Sequence, residues 1–520
     1  MKNKKNLILL IVFVIIIGFW AGRFSAARAN NEGNLYSYMQ LFTQILSKLE
    51  QNYVEEINPE KLITGAIQGM VKTLDPYTTY LTKEDFEELK TTTKGKFGGL
   101  GIHISSQDDY ITVMSVIEGT PASRYGLMAG DQIIKVNGES TKGWSASKAA
   151  KNLRGPKGTK VNITIKREGV PEAMNIEIVR DVVKIASIPY AYKIKDDIGY
   201  IRITNFNATT DEDLHKALLE LSEQNIKGLL LDLRSNPGGL LNQAVETVDE
   251  FLPMNKLVVY TKGRKEEFEK KFYTNDNYSF DSIPIIVLIN KGSASASEIF
   301  AGSLQDWDKA LIVGENSFGK GSVQQLFPLP MGNGIKITTS HYYIESGRCI
   351  HKERKRDSAN KLVVDSSKVN NKQVFHTVSG RVVYGGGGIT PDIIIKQDTL
   401  STFEISVVRK NLFFNFAVEY IASHDIDKNF TVTDDIFNQF VEYINEAKIE
   451  YTEEQMDEAK EWLKNSVEYQ IVSNKFGLEQ GNKIAVKQDP QLQKSLKLFE
   501  KFDTLEEMFA YVADTTGVNK

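Results

Sequence analysis

Two polar residues 25 positions apart, Ser295 and Lys320, have the types and settings needed for acyl transfer. Ser295 is the middle serine of "KGSASASEIF", which follows the apolar run "PIIVLIN" (Pro284 to Asn290) and opens a helical pattern. A residue where a strand becomes a helix points into the open end of a sheet. The unpaired N–H groups and the dipole of the helix start favour developing negative charge there, and the same logic places nucleophilic serines on other α/β folds. A plainer reading fits the same residues: small side chains at a tight turn, with a serine N-cap.

A serine nucleophile needs a base. The six histidines are His103, His215, His341, His351, His376 and His424, and none belongs to an obvious companion motif. A lysine can replace histidine if burial keeps its amine neutral. Lys320, in "GENSFGKGSVQQ", follows the next strand pattern, "ALIVG", and glycines on both sides allow close backbone approach. The alternatives are a solvated loop lysine or a phosphate-binding loop. The latter wants Ser or Thr after the lysine and then a helix. Gly321 and the β-forming "SVQQLFPLP" supply neither.

The oxyanion of an acyl-transfer intermediate needs preorganised donors. The N–H of Ala296 is one candidate. Gly238 and Gly239, in the strand–loop–helix text "LLLDLRSNPGGLLNQAV", are the others, against the reading of a plain glycine-rich helix start.

The elements that must position these groups form an alternating strand and helix series from about Ile185 to Gln397, an α/β pattern with a buried sheet. Before it, Asn34 to Lys90 reads as helical, and Gly95 to Val179 as short strands with one short helix, "SASKAAKNL". After Ser401 the text is helical, amphipathic and highly charged. A chain of 520 residues holds about three or four domains. The net charge of −4 gives no reason to expect a nucleic-acid partner, and the lone Cys349 excludes an internal disulfide and a cysteine metal cluster. No metal or other cofactor is expected. Basic "MKNKKN" followed by 16 apolar residues, Leu7 to Gly22, has the layout of an export signal or signal anchor, with "ARA" (Ala27 to Ala29) as a cleavage site in the former case. Everything after it would lie outside the cytoplasm.

Taken together, "NKGSASASEIFAGSLQD", "GENSFGKGSVQQ" and "LDLRSNPGGLL" resemble the C-terminal processing peptidases, tail-specific serine proteases of family S41. The resemblance runs from the N-terminus to about Asp398. It implies a multidomain α+β chain: signal segment 1–30, helical region 31–92, an inserted PDZ-like β domain 93–180, an α/β protease core of ClpP/crotonase type 181–400, and a helical extension 401–520. It makes Ser295 the nucleophile and Lys320 the general base, with Gln324 positioning the lysine and Ser293 and Ser297 as spacing and capping residues. Asp306 matches an acidic position that resembles a support residue in some relatives, and Arg154 an arginine linking PDZ module and active site.

"GGLGI" (Gly98, Gly99, Leu100, Gly101, Ile102) would be the carboxylate-binding loop of the PDZ-like module. Successive N–H groups there form a nest, and the strand after it pairs with an extended tail. The expected activity is serine endopeptidase cleavage of envelope proteins with nonpolar C-terminal tails, on the periplasmic side of a bacterial inner membrane. An inactive protease-like scaffold is the alternative, opposed by the presence of both Ser295 and Lys320. The polar insertion "HKERKRDSANKLVVDSSKVNNKQVFHTVSG" and the long tail depart from the shorter family pattern. The tail is read either as a helical layer on the core or as a site for oligomer contacts or adaptor docking.

Overall fold

The computed structural model describes residues 35–195, 197–275, 280, 283–357, 361–364 and 373–516. The export-signal reading of Leu7 to Gly22 and Ala27 to Ala29 lies outside the described residues. Among the described residues, no helix is long and apolar enough to cross a membrane. The chain divides into two compact units, Met1–Tyr80 and Leu81–Lys520. The smaller holds a helix over 35–52 and a second helix, Pro59–Lys72, which Asn58 caps by accepting the Lys61 N–H.

In the larger unit, six strands form the central sheet in the order Tyr190–Lys195, Ile198–Arg202, Gly228–Asp232, Ile285–Ile289, Leu311–Gly314 and Ile393–Ile394. The first pair is antiparallel and the remaining pairs are parallel. A parallel sheet must be covered on both faces, so its strands are apolar throughout. The alternation is visible residue by residue. Leu229, Leu231, Ile285, Val287 and Ile289 pack with the helices Thr210–Ser222, Leu241–Asp249 and Ala296–Asp306. Leu230, Ile286 and Leu288 face the opposite way, against Leu492, Leu496 and Met508. These last residues belong to the helices Pro490–Lys501 and Leu505–Thr516. The final part of the charged tail therefore closes the second face of the central sheet.

Residues 403–471 contribute a separate helical core around Phe416, Phe440 and Leu463. Its helix Leu412–Ser423 reaches the β module of residues 96–184, where Val418 packs on Gly130. That module is built on the sheet Ile102–Gln107, Tyr110–Val116, Gln132–Val136, Lys160–Lys166 and Met174–Val179. A two-stranded antiparallel stalk, Lys96–Gly99 with Asp181–Lys184, joins it to the rest.

The helix Lys83–Lys94 crosses the 92/93 boundary expected from the sequence and belongs to the larger unit. It carries a full capping box from Thr82 and Asp85 and stops at Gly95 in the left-handed conformation. A second sheet, Ser322–Pro328, Gly334–Tyr343, Leu257–Gly263 and Lys270–Tyr273, flanks the site. The described parts of the polar insertion pair Arg354–Arg356 with Leu362–Val364, and Val374–His376 with Val382–Tyr384 just beyond the insertion. Arg354 stacks on Phe318 at 3.7 Å and donates to its carbonyl at 2.6 Å, gripping the loop that carries Lys320.

Candidate active site

Ser295 sits at the N-cap of the helix Ala296–Asp306 with φ 56° and ψ −115°. A non-glycine residue there carries strain of about 1–3 kcal/mol, held only by its surroundings. The surroundings are explicit. Ser293 Oγ donates to Leu233 O at 2.8 Å and Ser297 Oγ donates to Asn236 O at 3.0 Å. The outer serines of "SASAS" thus bolt the turn to the "RSNPGG" loop, a different use from the helix capping expected of them. Asn236 is fully buried and accepts the Gly238 N–H at 2.9 Å while donating to Ile203 O at 3.0 Å.

Glu298, one turn into the helix and fully buried, accepts four hydrogen bonds. They come from the backbone N–H of Ser295 (2.8 Å), Gly319 (2.6 Å) and Lys320 (2.8 Å), and from the Ser317 hydroxyl (2.5 Å). One carboxylate therefore holds the serine backbone and the lysine backbone together. Burial pushes the Glu298 carboxyl above its ordinary range, and the four donors pull it back. On the other side, the Tyr342 hydroxyl lies 3.1 Å from Ser295 O and hydrogen-bonds Lys320 O.

A cavity of about 430 Å³ opens over these groups. Ser295, Ala296, Gly238, Gly239, Lys320 and Gln324 all line it. Burial and the nearby charge of Lys336 bring the Lys320 amine down from 10.5 to about 8, against a smaller opposite pull from Glu298. An amine titrating there exists in its neutral form at mildly alkaline pH and can accept a proton. The described lining contains no histidine. His215 instead meets Glu250 at 3.0 Å on the helix Thr210–Ser222. After Gly321 comes the strand Ser322–Pro328, where a phosphate-binding loop would need a helix.

The two glycines separate. A Cβ on Gly238 would fall 2.6 Å from Ala294 O and 2.8 Å from Ala296 N, so only glycine lets this loop lie on the serine turn. The Gly238 N–H, however, is donated to Asn236 Oδ1, which takes it out of the oxyanion set expected from the sequence. Ala296 and Gly239 remain at the cavity wall. Gln324 donates through Nε2 to Ser322 Oγ at 2.9 Å and lies 3.4 Å from Thr338 Oγ1.

Asp306 is elsewhere. It is buried at the far end of the helix, about 16 Å from Ser295 by helical rise. There it pairs with the fully buried Arg348 at 2.7 Å and accepts the Ser346 N–H at 2.9 Å. A negative charge at a helix C-terminus is unfavourable, and Arg348 offsets it. Its place is in the core, not in the reacting site.

Within the β module, Ile102–Gln107 is the edge strand of its sheet, and the helix Ala146–Leu153 packs beside it. Gly98, Gly99, Leu100 and Gly101 lead into that strand. The Leu100 side chain is buried, and Gly101 has φ 85° with its Cα turned against Thr120. Arg154 stacks on Phe97 at 4.7 Å and lies against Gly99. These contacts stay within the module, in place of the expected reach to the core. The module meets the core through Gly95 and Asn207: Ile185 N–H donates to Gly95 O at 2.8 Å, Asn207 Nδ2 to Ile185 O at 2.8 Å, and Ala208 N–H to Thr93 O at 3.0 Å.

Leu89, Thr92 and Thr93 of the helix Lys83–Lys94 line the same cavity. Nothing in their local sequence marks them, because their helix is placed by contacts with distant residues, Phe86 with Gly334 and Thr93 O with Ala208 N–H. Glu298 carried a weak signal, an acid in the first turn of the serine helix. Asn236 and Tyr342 carried none.

Comparison with known proteins agrees with this architecture. The chain is 38% identical over 395 residues to the carboxy-terminal-processing protease of Bartonella bacilliformis, covering 74% of this chain and 82% of that protein. This chain belongs to the carboxy-terminal processing proteases. Like them it is an S41 peptidase with a PDZ domain: residues 197–358 match peptidase family S41, and residues 90–166 match the PDZ domain. Residues 23–85 match the activating protease CtpB N-terminal domain, and residues 403–456 the C-terminal helical domain of a probable PDZ-protease. Carboxy-terminal processing protease CtpA of Bacillus subtilis is 33% identical over 366 residues, 68% of this chain and 76% of that protein. Among solved structures, a photosystem II D1 C-terminal processing protease is similar at 26% identity, covering 69% of this chain and 92% of that one with a TM-score of 0.37.

Proposed function

We propose that this carboxy-terminal processing protease is an exported serine endopeptidase that works through a Ser295–Lys320 dyad. The observation that carries the proposal is the Glu298 clamp, which joins the backbones of the two residues beside one cavity in which the lysine is depressed to about 8. Ser295 Oγ attacks the peptide carbonyl and its proton passes to Lys320 Nζ. The Ala296 and Gly239 N–H groups receive the oxyanion. Lys320 then protonates the leaving amine, and the acyl-enzyme is hydrolysed by water with Lys320 again as base. With Gln324 Nε2 turned to Ser322 and Thr338, its Oε1 is the acceptor that steadies the amine.

The PDZ domain supplies substrate choice. A nonpolar C-terminal tail adds to the edge strand Ile102–Gln107, with its carboxylate at the Gly98–Ile102 loop. The basic start and apolar run of the N-terminal segment support a place in the bacterial envelope, outside the inner membrane and anchored to it or released from it.

The test is cleavage of an unfolded reporter carrying an apolar C-terminal tail. Ser295→Ala and Lys320→Ala are expected to abolish it, and Lys320→Arg to fail as well, because arginine stays protonated. Amidating the tail carboxylate should raise KM. Cleavage by Ser295→Ala at the wild-type rate would overturn the assignment.

A further inference from the structure

Two lysines share the catalytic cavity. Lys336 is half-buried on the strand Gly334–Tyr343, whose pairing with Ser322–Pro328 sets Lys336 opposite Leu326 and Thr338 opposite Gln324. Alternate residues of a strand share a face, so these four stand together on one side of the sheet. Gln324, Leu326 and Lys336 line the cavity with Ser295 and Lys320.

We propose that Lys336 is a positioning residue of the hydrolysis: its charge on the cavity wall holds the Lys320 amine in the neutral form that a general base requires. The inference rests on the dyad reading and adds to it a group that, together with burial, lowers the pH at which the base works.

Among the described lining residues, the groups with an ionisable amine or phenol are Lys320, Lys336 and Tyr342. The Tyr342 hydroxyl donates to the Lys320 carbonyl. Behind the wall, the Glu298 carboxylate holds the Lys320 N–H and favours the protonated amine. His351 packs on the Gly321 backbone, and His341 pairs with Ser322 and stacks on His351. Burial is the larger influence depressing Lys320, and Lys336 is the next. A like charge destabilises a second ammonium most where water is scarce. Without Lys336, burial alone of these named influences would oppose the pull of Glu298 on the amine.

The experiment is the pH dependence of kcat/KM for the apolar-tailed reporter, measured on the full chain. The wild-type rate rises through the Lys320 titration. In Lys336→Met the rise is expected to move up by about one pH unit. The rate near neutrality then falls about tenfold, and the two enzymes converge as pH approaches about 10. Lys336→Arg keeps the charge and should keep the wild-type curve. An unmoved curve in Lys336→Met overturns the inference and leaves the dyad intact. So does an equal shift in Lys336→Arg, or a loss in Lys336→Met that high pH does not restore, since both would mark a packing role. Wild-type cleavage by Ser295→Ala would remove the dyad itself, a separate result.

Discussion

Glu298 accepts the backbone N–H of Lys320 at 2.8 Å with the carboxylate that accepts the Ser295 N–H, also at 2.8 Å. The backbones of the two proposed catalytic residues are therefore held together by a third, buried side chain. A glutamine there would present N–H groups to donors that need acceptors. Glu298→Gln is expected to lower kcat by about a hundredfold, because displacements near 1 Å cost that much, while KM changes little. Steady-state kinetics on a folded variant checks this. Unchanged kcat would contradict the clamp.

Lys320 makes the site costly to the fold. In the unfolded chain its amine titrates near 10.5, and in the folded protein near 8. The folded state thus binds fewer protons between these values, and the penalty is complete below about pH 8. It fades as pH rises towards 10.5. Lys320→Met should be inactive and yet more stable at pH 7, by up to about 3 kcal/mol. Denaturant midpoints at pH 7 and at about pH 10 should show the gain shrinking.

Asp306 and Arg348 form a fully buried ion pair away from the cavity. Asp306→Asn leaves the guanidinium uncompensated and is expected to lose about 3–5 kcal/mol of stability. The pH dependence of kcat/KM in the surviving folded enzyme should match the wild type. A shifted profile would return Asp306 to the reaction.

Gly238 has φ 93° and no room for a Cβ beside Ala294 O and Ala296 N. Gly238→Ala must push the "RSNPGG" loop off the serine turn. With the neighbouring Gly239 donor displaced, kcat is expected to fall by about a hundredfold or more. Full activity in that variant would show that the loop contributes no donor.

Much of this was legible in the sequence, for physical reasons. Strand–turn–helix punctuation is local, so "PIIVLINKGSASAS" announced both the sheet and the serine at its end. Lys320 was legible because glycines bracket it one strand later. What stayed hidden was made by distant parts of the chain. Leu89 and Thr92 line the cavity because their helix packs on distant parts of the chain, with Phe86 against Gly334 and Ala208 N–H donating to Thr93 O. Asn236 reads as a turn former, yet its side chain orders the loop from inside. Asp306 stayed open because a conspicuous acid in a helix reads the same whether it faces a substrate or a buried arginine. The tail stood between a helical layer on the core and a docking site, because amphipathicity shows that a face is covered and not by what; Leu492, Leu496 and Met508 against the central sheet match the first reading.

The most direct test of the dyad is to treat the protein with a fluorophosphonate across a range of pH and map the modified residue by mass spectrometry. Of the three serines of "SASAS", the adduct should fall on Ser295 alone. Its rate should rise as pH passes through about 8, the value for Lys320, and the reaction should be lost in Lys320→Met. An adduct on Ser293 or Ser297, or a Ser295 reaction whose rate ignores both pH and Lys320, would contradict the account.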